Sequence, residues 1–184
     1  MKTLKTILMA LALIAAPAAI HAQAPADAPA ATVTDLDQKY ATDLLKAGAD
    51  APDITLNTID GKPFALKDLR GRYVVLDFWA SWCGPCRAEM PHVKAAYDKY
   101  KSKGFNVVGL SFDNKLENWK KAIAEMQLDW VHLSDLQGWQ SVAGQVYGIR
   151  SIPASYLVDP TGKIIAADLR GEQLEAKLRE IYGE

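Results

Sequence analysis

A chain of 184 residues holds one ordinary domain and little more, and 49% apolar with 23% charged content is that of a globular protein able to build a core. A formal charge of -1 gives no electrostatic reason to bind nucleic acid or an anionic membrane surface. Sequence repeats are absent, and only two cysteines occur.

Lys2 and Lys5 precede an apolar stretch from Ile7 to Ile20, and Ile20-His21-Ala22 before Gln23 offers a cleavage site, so residues 1–22 read as a secretory signal peptide. Pro17 and a length below the roughly 20 residues needed to span a bilayer argue against a retained anchor. Stable membrane insertion is therefore not expected after cleavage near Ala22, and no cysteine follows to carry a lipid. Residues 23–47, rich in Ala and Pro, read as a flexible tether. Leu36, Tyr40 and Leu44 fall at helical spacing, so part of the tether could be a helix.

The folded domain is expected over 48–184. Ile54-Thr55-Leu56, the turn Asp60-Gly61 and the return Pro63-Phe64-Ala65-Leu66 predict a hairpin. Tyr73 to Trp79 is a near-continuous apolar run, the signature of a strand buried on both faces. Cys83 and Cys86 follow it, with Gly84-Pro85 between them, and from Cys86 to about Ser102 the spacing of Met90, Val93, Tyr97 and Tyr100 predicts a helix that Pro91 should kink. Phe105 to Phe112 predicts a strand, Lys115 to Gln127 an amphipathic helix, Trp130 to Leu133 a strand and Trp139 to Tyr147 a helix. Ala154 to Val158 and Lys163 to Asp168, joined by Asp159-Pro160-Thr161-Gly162, predict a terminal hairpin, and Leu174, Leu178 and Ile181 a last helix. Alternating strands and helices make this an α/β fold.

The cysteine pair sits at a strand-to-helix junction, where free N–H groups and the helix dipole favour a thiolate. A bridge across two residues constrains the unfolded chain very little, so redox chemistry explains the Cys83–Cys86 spacing better than stabilisation does. Cys83 precedes the helix and is expected to attack; Cys86, within the first turn, is suited to resolving a mixed disulfide. Asp77 interrupts the buried strand, and a buried carboxyl without a cation should have a raised pKa.

Trp82-Cys83-Gly84-Pro85-Cys86 behind Asp77-Phe78-Trp79-Ala80 resembles thioredoxin, and the continuation Arg87-Ala88-Glu89-Met90-Pro91 resembles the secreted thiol:disulfide oxidoreductases of the TlpA/ResA type, among the AhpC/TSA-like redoxins. This resemblance implies a thioredoxin fold: a central mixed β-sheet flanked by helices on both faces, with an N-terminal β-hairpin extension. It implies an exported, periplasmic enzyme that reduces protein disulfides, in cytochrome c maturation or a related reducing pathway, recharged by a membrane electron donor of the DsbD/CcdA type. No cofactor and no metal are implied. Gly84-Pro85 is similar to the dipeptide of reducing thioredoxins. Asp77 matches their buried aspartate, which exchanges a proton with the inner thiol, whereas Gly109 falls where their neighbouring lysine would be. Tyr147-Gly148-Ile149-Arg150-Ser151-Ile152-Pro153 resembles the segment that ends in a cis proline facing the cysteines and exposes the Ile152 backbone for an extended substrate. With Ile152 and Pro153, the residues Trp82, Gly84 and Pro85 are the expected substrate contacts, although Trp79 and Trp82 could equally be packing residues. Glu89 is expected to be solvated, and His92 and His132 to be ordinary histidines, since one C-x-x-C supplies too few ligands for a metal. Two other functions compete: a peroxidase, whose usual Thr-x-x-Cys is replaced here by Ala80-Ser81-Trp82-Cys83, and a copper chaperone, whose C-x-x-x-C is one residue longer.

Overall fold

The computed structural model describes residues 46–184. The signal peptide expected at 1–22 and all but the last two residues of the tether expected at 23–47 lie outside the described residues.

Seven strands form one sheet: β1 (Thr55–Thr58), β2 (Pro63–Ala65), β3 (Val74–Trp79), β4 (Asn106–Ser111), β5 (Val131–Ser134), β6 (Ala154–Val158) and β7 (Ile164–Ala167), in the order β2-β1-β5-β4-β3-β6-β7. The sheet is mixed. Strands β3, β4 and β5 run parallel, linked by the helices α1 (Gly84–Tyr100) and α2 (Leu116–Met126), whereas β6 pairs antiparallel with β3 and β7. The expected N-terminal hairpin is β1–β2, and β1 also pairs antiparallel with β5, which extends the central sheet. Two further α-helices occur among the described residues, the short α3 (Val142–Val146) and α4 (Glu172–Tyr182).

Every residue of β3 is buried because both faces of the sheet are covered. Val74, Leu76 and Phe78 alternate onto one face, where the Phe78 ring meets Phe112, Tyr147 and Tyr156 at 5.4 to 6.4 Å. Val75, Asp77 and Trp79 point to the other, which α1 covers: Tyr97 of α1 packs edge-on against Trp130, and Arg87 and Lys94 reach Glu125 of α2 and Asp129 just after it.

Most boundaries lie within a residue of the sequence reading; two helices differ by more. Helix α1 begins at Gly84, two residues before the expected Cys86, because Cys83 caps it and Pro85 suits a first turn that needs no N–H. Its α-helical part ends at Tyr100, after which a 3-10 turn runs to Lys103 and Gly104 closes it at φ 90°. Pro91 lies inside one continuous helical span. The helix expected from Trp139 to Tyr147 is two pieces, a 3-10 turn over Gly138–Gln140 and then α3, separated by the extended backbone of Ser141.

Candidate active site

The end of β3 delivers the chain to the cysteines. The Cys83 N–H donates to the Ala80 carbonyl at 3.1 Å, turning the backbone into α1. Cys83 and Cys86 are joined as a disulfide with their Cα atoms 5.3 Å apart. Cys83 is the N-cap of α1, and its Sγ accepts the Cys86 N–H at 3.1 Å. That bond and the positive end of the helix dipole favour negative charge at the Cys83 position. Cys83 is 5% exposed and Cys86 1%, so the outer sulfur belongs to the more accessible residue. Trp82, Gly84 and Pro85 are exposed around them.

Asp113, two residues past the end of β4, holds the turn in place. Its Oδ2 accepts the Ser81 N–H at 2.9 Å and the Ser111 hydroxyl at 2.8 Å, while Oδ1 accepts the Ser81 hydroxyl at 2.5 Å. Sequence reasoning missed this clamp, because the two halves lie 32 residues apart and no local pattern joins them.

Asp77 is buried in β3, and its Oδ2 has no hydrogen-bond partner. Burial pushes its carboxyl up to about 7; the positive charge of Arg170 opposes this and the negative charge of Glu89 adds to it. The carboxyl is raised as its burial leads one to expect, and it stays so against the charge of Arg170, a cation not anticipated from the sequence, because desolvation is the larger effect. Glu89 is not simply solvated. It is half-buried, and its Oε1 accepts the Gly171 N–H at 2.6 Å, fixing the start of α4 against α1. Arg170, next to that contact, donates to the Pro153 carbonyl and, at 3.4 Å, to Asp168.

The register sets Asp77 opposite Gly109 and Gly109 opposite His132, in one row across three parallel strands. The His132 ring fills the space that a side chain at position 109 would need: a β-carbon there would lie 2.4 Å from His132 Nδ1 and 2.9 Å from Trp79 Nε1. His132 stacks on Trp130, meets Trp79 edge-on, and has no hydrogen-bond partner on either nitrogen. Burial pushes it down to about 3, so the ring is neutral at pH 7. His92 is exposed on α1.

The Ile152–Pro153 peptide bond is cis. Pairing of Ala154 with Phe78 places Pro153 beside the end of β3 that leads into the cysteine turn. Ile152 and Pro153 are half-buried, and Ser151 is exposed.

A seven-stranded thioredoxin-like sheet with a disulfide capping its first long helix defines a redox-active thioredoxin-fold protein. Residues 47–167 match the AhpC/TSA family. The thiol-disulfide oxidoreductase ResA of Bacillus thuringiensis subsp. konkukian is 34% identical over 136 residues, covering 74% of this chain and 76% of its own. Among solved structures, the thioredoxin domain of a thiol-disulfide oxidoreductase from Bacteroides vulgatus is 37% identical with a TM-score of 0.70, covering 74% of this chain and 98% of that one. A thiol-disulfide oxidoreductase from Bacteroides fragilis is 36% identical with a TM-score of 0.68, covering 72% and 98%. The chain belongs to the AhpC/TSA family and, within it, to the ResA-like thiol-disulfide oxidoreductases. It is an enzyme of that class.

Proposed function

We propose that this protein is an exported reductase of protein disulfides that works through the Cys83-Gly84-Pro85-Cys86 dithiol. In this reading the Cys83 thiolate attacks one sulfur of a substrate disulfide, the other substrate sulfur leaves as a thiolate, and a mixed disulfide forms on Cys83. The Cys86 thiol passes its proton to the Asp77 carboxylate, and the resulting thiolate attacks Cys83 Sγ. The second substrate thiolate leaves and the Cys83–Cys86 disulfide re-forms, two electrons having moved to the substrate. A carboxyl near 7 exchanges protons readily at neutral pH, which supports this use of Asp77. Trp82, Gly84, Pro85, Ile152 and Pro153 line the docking edge.

The remaining assignments belong to the same proposal. Residues 1–22 direct export to the periplasm, 23–47 tether the domain over 48–184, and a membrane dithiol donor of the DsbD/CcdA type restores the reduced form. Apocytochrome c in its maturation, or another redoxin, is the substrate class that fits. Among the described residues no helix is long and apolar enough to cross a membrane.

The observation that carries the proposal is the helix-capping disulfide, with the Cys86 N–H on Cys83 Sγ. Turnover of insulin disulfides by the reduced enzyme should be abolished in Cys83→Ser, and full retained activity would remove Cys83 from the mechanism.

A further inference from the structure

Among the described residues, the two exposed large hydrophobic side chains are Trp82, 54% exposed, and Trp139, 47% exposed. They are neighbours, although 57 positions separate them in the chain; their ring centroids lie 6.3 Å apart at 52°. Each ring rides on a backbone turn that is held from beneath. Trp82 follows Ser81, whose N–H and hydroxyl are both fixed by Asp113. Trp139 lies in the 3-10 turn Gly138–Gln140, its ring packed edge-on against Phe112 at 5.0 Å. Asp135 clips both ends of that turn, accepting the Gln137 N–H at 3.1 Å and the Val142 N–H at 2.8 Å. Two exposed indoles carried on turns held this firmly leave less backbone to order when something binds.

We propose that Trp82 and Trp139 together form an apolar platform for the side chain two or three residues from the target cysteine of a polypeptide substrate, and that they select an apolar residue there over a small polar or acidic one. This rests on the disulfide-exchange reading above. A substrate cysteine bonded to Cys83 has its Cα about 5 to 6 Å from that of Cys83, and an extended chain advances about 3.3 Å per residue. Trp82 adjoins Cys83 in the chain and its ring centroid lies 6.3 Å from that of Trp139, about two residues of extended chain, so a substrate strand leaving Cys83 across Trp82 meets Trp139 within that reach. Its chemistry is equally definite. The carboxylates of both supporting turns, Asp113 and Asp135, are occupied with backbone N–H groups and hydroxyls. An acidic residue laid on the rings loses hydration and gains no partner, whereas an aliphatic or aromatic one buries its surface against two π faces.

The test uses the reduced enzyme and short peptides whose single cysteine carries 5-thio-2-nitrobenzoate, so that attack on the peptide sulfur releases the chromophore. Peptides carrying Leu or Phe two or three residues from the cysteine should react about tenfold faster at limiting concentration than those carrying Ser or Asp there. Trp139→Ala should bring the apolar peptides down to the rate of the polar ones. Rates for the polar peptides and for the free bis-nitrobenzoate disulfide should stay the same. Absence of discrimination in the wild type, or discrimination that survives Trp139→Ala, overturns the proposal. Should Trp139→Ala also slow the free disulfide, Trp139→Gln decides: lost discrimination supports the platform and kept discrimination overturns it. Failure of the wild type to reduce any of these disulfides would instead sink the disulfide-exchange reading itself.

Discussion

Replacing Asp77 by Asn tests the buried carboxyl without touching the cysteines. An unfolded aspartate titrates near 3.8 and the folded one at about 7, so between those values the folded protein holds a proton that the unfolded chain has lost. Stability therefore falls as pH rises through that window, by about 1.4 kcal/mol per pH unit for ~4 kcal/mol in all, and is flat above it. An amide is neutral throughout and mimics the protonated acid. Every other titrating group is common to the two proteins, so their difference isolates Asp77. Urea unfolding of the oxidised proteins between pH 4 and pH 8 should show Asp77→Asn gaining ~4 kcal/mol on the wild type across the range. A difference independent of pH would mean that Asp77 titrates like an exposed carboxylate, and its assigned part in proton exchange would fall with it.

His132 works in the opposite direction. Its folded value near 3 lies below the 6.5 of the unfolded chain, so its contribution is lost as pH falls through that window and offsets Asp77 over most of it. From pH 4 to 6.5 the two contributions nearly cancel, so His132→Gln should lose ~3 kcal/mol relative to the wild type as pH rises there; a difference independent of pH would contradict the buried neutral imidazole. Gly109→Ala puts a β-carbon 2.4 Å from His132 Nδ1 and should destabilise by ~1–3 kcal/mol in denaturant unfolding, with no loss expected if the ring is free to move aside. Glu89→Gln keeps an acceptor for the Gly171 N–H and removes a charge that raises Asp77. Carbon NMR of the Asp77 carboxyl should then show titration at lower pH, and an unmoved midpoint would disprove that electrostatic link.

The elements were legible where one physical signal dominated. The apolar run from Tyr73 to Trp79 points to a doubly buried strand, found from Val74 on, and β6 matches its expected bounds because Ala154 to Val158 stands between a proline and a turn of Asp159-Pro160-Thr161-Gly162. The cysteine turn was legible because Gly84-Pro85 and the amphipathic spacing that follows are local. What escaped is non-local. Nothing near Asp113 announces that it clamps Ser81, nothing near Glu89 that it meets Gly171, and nothing near Thr55 that β1 pairs with β5. Gly109 departs from the thioredoxin pattern, and what it accommodates lies on another strand: His132 occupies the space beside it. Trp139 appeared to begin a helix, and only Ser141, whose backbone leaves the helical region, turns it outward beside Trp82.

The most direct measurement is capture of the mixed disulfide. Reduced Cys86→Ser protein mixed with a disulfide-bonded peptide should accumulate one covalent adduct, mapped by mass spectrometry to Cys83, whereas Cys83→Ser should accumulate little. An adduct carried mainly by Cys86 in Cys83→Ser, with none on Cys83, would contradict the assignment of the helix-capping sulfur as the attacking group.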